Sequence, residues 1–233
     1  MKITHSPHRV KKDSVFHKIG KNNGHEPIYH KWIELACFHY EKKNYMTCNS
    51  YMNRVLCFSQ QIQYEDLSII YFVKGKCFYF QKHYEQALSW FNYAIDLHFD
   101  IEYVYYIGDT HYHLKEYAEA MNVLLKGILA DPLVPKLRDR CALVLSEFQE
   151  YELALDQINI AIALDQGQNG VFFNTRGNIY FQMDNYEKAL TDFEKAFEII
   201  PSPVIQANVE LCKTCLQEMQ EVIHRFDFAA AAA

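Results

Sequence analysis

The stretch LCKTCLQ holds two cysteines three residues apart, Cys212 and Cys215, a spacing used by zinc sites and by dithiol redox centres. A tetrahedral zinc site needs four ligands, and no second pair follows. Redox chemistry of the thioredoxin kind expects strands around the pair, and none are signalled here. The two cysteines therefore read as helix-packing residues, with metal or redox sensing through Cys212/Cys215 kept as a minor alternative. His111 and His113 lie two apart, which on a helix turns them about 200° from one another, so they cannot chelate one metal. The chain has no glycine-rich phosphate loop, no GxSxG and no HExxH. No catalytic residue, metal or cofactor is expected.

The chain has 233 residues, enough for one domain or two small ones with a sizeable core. No apolar run approaches the roughly 18 residues of a membrane span, and charges stand where a signal peptide would place its apolar region. Seven cysteines without a framework spacing suit a reducing compartment, so a cytoplasmic protein is expected. Net charge is −6, unevenly spread: residues 1–26 carry six Lys or Arg against two acids, a net +4, which leaves −10 for the rest. An acidic body argues against nucleic acid as partner. The N-terminal 1–26 reads as a basic, His-rich flexible arm.

What would position any binding residues is a repeat. Gly75, Gly108, Ala142 and Gly177 recur at intervals of 33, 34 and 35 residues. Ala87, Ala120, Ala154 and Ala189 keep the same steps, and so do Ala94, Gly127, Ala161 and Ala196. A bulky residue (Phe91, Leu124, Ile158, Phe193) falls between the last two landmarks each time. Each unit reads as two amphipathic helices, since Phe173, Gly177, Tyr180 and Phe181 share a helical face and Ala189, Phe193, Ala196, Phe197 and Ile200 form a second stripe. Asp184 or Asn185 is placed to cap the second helix, and Pro201 bars its continuation. The fold class is all-α. Glycine inside a helix costs roughly 1 kcal/mol against alanine, and close crossing of the paired helices is the compensation expected, with Gly or Ala on one facing Ala on the other. Short helices of this kind are marginal alone, and stacking of units supplies the rest of the burial.

FNTRGNIY…A…F…A…P, from Phe173 to Pro201, resembles the tetratricopeptide repeat, a helix-turn-helix unit of about 34 residues. Only the large aliphatic landmark is missing, replaced by Arg176. The resemblance implies a right-handed α-solenoid of antiparallel hairpins. Units are placed at 68–100, 101–134, 135–169 and 170–202, with a degenerate copy at 29–62, a capping helix at 203–226 and a tail at 227–233. It also implies that first helices line a concave face which holds an extended peptide. By phase, that lining is Phe72, Lys76, Tyr79 and Phe80, then Glu102, Tyr105, Asp109 and Tyr112, then Lys136, Arg140, Leu143 and Glu147, then Asn174, Asn178, Phe181 and Gln182. Asn174 and Asn178, one turn apart, are expected to hydrogen-bond a peptide backbone together. The family's carboxylate clamp for acidic chaperone tails is not expected: Lys136 and Arg140 match it, but Phe72, Lys76 and Tyr106 occupy the other places. The partner expected is another protein, through a peptide or helical segment. Homo-oligomerisation or membership of a larger complex, through stacking of the terminal repeats, stands as the alternative.

Overall fold

The described chain is a succession of helices joined by short turns. The structure, a computed structural model, describes residues 28–231, with side chains from 29 to 222; the expected basic arm lies outside them. Two compact units divide between Thr110 and His111. The elements are α1 (Ile28–Glu41), α2 (Tyr45–Leu56), a 3-10 turn (Ser59–Gln61), α3 (Tyr64–Phe80), α4 (Tyr84–Leu97), α5 (Ile101–His113), α6 (Tyr117–Ala130), α7 (Pro135–Glu147), α8 (Tyr151–Leu164), α9 (Gly170–Gln182), α10 (Tyr186–Ile199) and α11 (Pro203–Ala231). In the first unit α1 packs on α2, α2 on α3 and α3 on α4. In the second, each helix from α6 to α11 packs on the next, and α7 also meets α9. No described helix is long and apolar enough to cross a membrane. α11 runs on past 226 because alanines, the best helix formers, follow with no Gly or Pro to stop them.

Each hairpin turns in one way. Lys43, Lys82, Lys115, Gln149 and Asp184 sit in the left-handed region, with φ between 56° and 63°. In each case the next N–H reaches back five residues: Asn44 to His39 O at 2.9 Å, His83 to Phe78 O at 3.0 Å, Glu116 to His111 O at 2.9 Å, Glu150 to Leu145 O at 3.0 Å, Asn185 to Tyr180 O at 2.9 Å. These are Schellman closures, which satisfy the last carbonyls of the first helix. The residue that closes one helix is also the N-cap of the next. At Asn185 the side chain accepts the Lys188 N–H at 3.3 Å, so Asn185, and not Asp184, is the capping side chain.

The small-residue landmarks are buried, with Ala87, Ala120, Ala154, Ala189, Ala94, Ala161 and Ala196 all at 0% exposure. Beside the expected Gly-or-Ala on Ala contact, which the shared cluster of Ala142 and Ala154 fits, the nearest neighbour of two of the glycines is a ring. A Cβ built on Gly177 would stand 2.8 Å from two ring carbons of Phe193, and one on Gly75 would run into the ring of Phe91. The glycine makes room for a phenylalanine ring from the second helix, and that burial is what offsets its helix cost. Where the bulky landmark is Ile158, the first helix carries Ala142, and both lie in one buried cluster. Gly177→Ala is therefore expected to lower stability by about 1 kcal/mol, because overpacking of about 1–3 kcal/mol exceeds the helix-propensity gain. Thermal denaturation of Gly177→Ala beside Gly177→Ala/Phe193→Ile checks this. The double variant copies the Ala142–Ile158 pair and should recover part of the loss.

Upstream, Ala36, Cys48, Met52 and Val55 are fully buried and share a core with Ile33, Ile70, Val73 and Cys77. α2 thus buries its apolar stripe although cysteine and valine replace two of the alanines.

Candidate functional site

In the first unit the residues expected to line a groove are bonded to one another. Phe72 is at 0% exposure, with its ring 4.3 Å from that of Tyr103 and 5.5 Å from that of Phe91. Its assignment to a ligand wall is corrected: it is core. Lys76, also buried, places Nζ 3.3 Å from Glu102 Oε1 and 5.0, 5.3 and 5.6 Å from the ring centres of Tyr106, Phe72 and Tyr40. These rings cover the charge that helical phase alone would have sent to solvent. Asp109 is buried and accepts the Tyr79 hydroxyl. Desolvation, and then the Asp109 charge, push the nearby Tyr84 hydroxyl above its ordinary range. Tyr105 is half-buried, edge-on to Tyr106 at 5.3 Å. Phe80 remains outside, stacked on Tyr45 at 5.3 Å.

The second unit keeps an open site. A cavity of about 180 Å³ is lined by Tyr112 from the end of α5, by Leu143, Ser146 and Glu147 from α7, and by Asn178, Ile179, Phe181 and Gln182 from α9. α7 and α9 touch, so residues four apart on each helix present one continuous surface. Tyr112, Leu143, Glu147, Asn178, Phe181 and Gln182 are expected lining residues brought together. Ser146 and Ile179 are additions. Ser146 follows Leu143 by three residues and so continues its face, a signal present in the sequence; its hydroxyl donates to Gln182 Oε1. Lys136 is exposed, and Arg140 Nη2 lies 3.6 Å from Asp139 Oδ2; neither lines the cavity. Asn174 is engaged otherwise, because its Oδ1 accepts the amide of Asn208 on α11 at 3.0 Å. The expected Asn174–Asn178 pair therefore reduces to Asn178.

Glu147 sits at the rim, exposed, with each oxygen taken by a phenol. The Tyr112 hydroxyl donates to Oε1 and the Tyr117 hydroxyl to Oε2, both at 3.0 Å. Burial first, and then the Glu147 carboxylate, drive the Tyr112 hydroxyl far above the usual tyrosine range. Tyr117 moves the same way for the same causes. Both phenols therefore stay protonated donors at any physiological pH.

The residues considered for chemistry lie elsewhere. Cys212 is buried between α10 and α11, and burial followed by Cys215 pushes its thiol up to about 11. A thiol held protonated is a poor nucleophile and metal ligand. His111 Nδ1 lies 2.7 Å from Glu116 Oε2. Among the described residues no group of three or more His, Cys, Asp or Glu stands together as metal ligands.

Residues 171–203 match the family model described as tetratricopeptide repeat. Human RNA polymerase II-associated protein 3 is 27% identical over 95 residues, 41% of this chain. The chain spans 14% of that relative's length. Among solved structures, the Cut9–Hcn1 hetero-tetramer of the APC/C matches with a TM-score of 0.71 at 13% identity, over 81% of this chain and 37% of that one. TTC0263, a thermophilic TPR protein of Thermus thermophilus, matches with a TM-score of 0.66 at 14% identity, over 80% of this chain and 99% of that one. These likenesses show the fold. Residues 171–203 are thus matched as one tetratricopeptide repeat, and the chain as a whole has the fold of solved TPR structures over four-fifths of its length.

Proposed function

We propose that the chain is a non-enzymatic, cytoplasmic interaction scaffold that holds a peptide or helix of a partner protein against the first helices of its repeats. The observation that carries this reading is the cavity on α7 and α9, where six lining residues expected from repeat phase meet around open space. Its walls combine aromatic and aliphatic carbon with amides, two hydroxyls and one carboxylate, the mixture that grips a peptide without acting on it. Buried cysteines used as small hydrophobes, Cys48, Cys77, Cys141 and Cys212, support a reducing compartment. Affinity purification with the wild type and with Tyr112→Ala/Asn178→Ala/Phe181→Ala tests the reading. Partner capture should fall by about tenfold or more, about 1.4 kcal/mol, with the far-UV circular dichroism unchanged. Equal capture by both would count against the groove.

A second reading, a subunit that assembles through its C-terminal end, is favoured by α11. Val204, Leu211, Met219 and Val222 on that helix are 38–69% exposed. Exposed apolar side chains along one helix mark an association surface. Light scattering of the wild type against Leu211→Glu separates the readings: a mass that drops to the monomer only in the variant places assembly at α11.

A further inference from the structure

Among the eight residues that line the α7–α9 cavity, Glu147 is the one with a formal charge. Its two oxygens are each held by one phenol hydroxyl, Tyr112 and Tyr117, which fixes the carboxylate in orientation without neutralising it. Among the described residues no cation forms an ion pair with it, although the Arg140 charge reaches the Tyr112 hydroxyl beside it. Ion pairs seen in this unit include His111 with Glu116, Arg140 with Asp139, Arg176 with Asp192, Lys195 with Glu198 and Lys213 with Glu194. Each carboxylate oxygen accepts more than one hydrogen bond, so both retain acceptor capacity. Leu143, Ile179 and Phe181 supply an apolar floor beside it. A volume of about 180 Å³, below the ~300–1,000 Å³ of pockets that enclose a whole ligand, suits one long side chain.

We propose that this cavity is a basic-residue subsite that takes one lysine or arginine side chain from a partner segment, the methylene stem along Leu143, Ile179 and Phe181 and the cationic head on Glu147. The proposal rests on the groove reading above and adds what the groove selects. Lysine and arginine are built for such a place, since their stems bury on apolar surface while the head seeks a charge-assisted hydrogen bond. Asn178 and the amide nitrogen of Gln182 offer hydrogen-bonding groups to the backbone on either side of the anchor, while the buried Ser146 holds Gln182 Oε1. An acidic segment is turned away by the same carboxylate.

Panning a random peptide library on the immobilised full chain tests this. Enriched peptides should share a lysine or arginine at one register. Replacing that residue by norleucine, which keeps the stem and removes the charge, should weaken binding by about tenfold or more. Glu147→Gln, at an exposed position, should bind the lysine and norleucine peptides alike, and Tyr117→Phe should narrow their difference. Peptides that lose affinity with Asn178→Ala but carry no basic residue, or a lysine preference undiminished in Glu147→Gln, would overturn the subsite while leaving the groove standing. If no peptide is enriched over bare support, the groove reading and this one fail together.

Discussion

Asp192→Ala is expected to lower the unfolding free energy by about 2–3 kcal/mol, a large effect for a residue that does not line the cavity. Arg176 donates from Nε to Asp192 Oδ2 and from Nη2 to Oδ1, both at 2.7 Å, and from Nη1 to Asn159 Oδ1 at 2.8 Å. The Asp192 side chain is 6% exposed and that of Arg176 23%. The hydrogen bonds to Asp192 raise the guanidinium above its ordinary range, with burial opposing. Removing one partner of a buried, bidentate pair leaves the other charge desolvated and unanswered, which costs more than the intact pair contributes. The partial exposure of Arg176 keeps the figure below the about 3–5 kcal/mol of fully buried pairs. Arg176→Met should cost a similar amount by stranding Asp192, and Arg176→Met/Asp192→Leu should lie within about 1 kcal/mol of the wild type. Urea unfolding followed by circular dichroism gives the cycle. A single-variant loss under about 0.5 kcal/mol would class the pair with ordinary surface bridges.

Arg176 shows where sequence reading stops. Its departure from the aliphatic landmark is visible in the chain, but the compensating Asp192 is recognisable only once α9 and α10 are seen to cross. The periodic small residues were legible because close packing tolerates little variation at a crossing. The ring over Gly75 and Gly177 was not, because spacing tells which positions are small and not which side chain fills the space: Phe91 covers the first and Phe193 the second. Cavity-lining residues were legible where polar side chains face open space, as at Glu147, Asn178 and Gln182. The reading failed at Phe72, Lys76 and Asp109, where a dense run of tyrosine and phenylalanine closes over positions that phase alone assigns to solvent. The left-handed turns carried no signal either. Lysine, glutamine and aspartate occupy them, and only the helix closures on both sides hold those residues there.

Lys74 stands immediately before Gly75 as Arg176 stands before Gly177, yet it has no carboxylate. Its side chain is buried, with Nζ 4.2 Å from the centre of the Trp90 ring and donating to Asn53 Oδ1. Burial lowers its pKa from 10.5 to about 8. Below about pH 8 both folded and unfolded states hold the proton, and the folded state carries the full desolvation cost. Between about pH 8 and 10.5 the unfolded chain keeps a proton that the folded chain has released, so stability climbs with pH across that window. At about 1.4 kcal/mol per unit, the displacement corresponds to about 3 kcal/mol. Lys74→Met keeps the stem and removes the charge, and Asn53, being exposed, turns its amide to water. The variant is therefore expected to exceed the wild type by about 2–3 kcal/mol near pH 7, with the gap closing by about pH 10. Urea midpoints of both proteins from about pH 6 to 10 measure it, and the difference between them cancels the titration of tyrosines and cysteines common to both. A gap that stays constant over that range, or a variant less stable at pH 7, would mean that the Trp90 face and Asn53 fully replace the water that the ammonium loses.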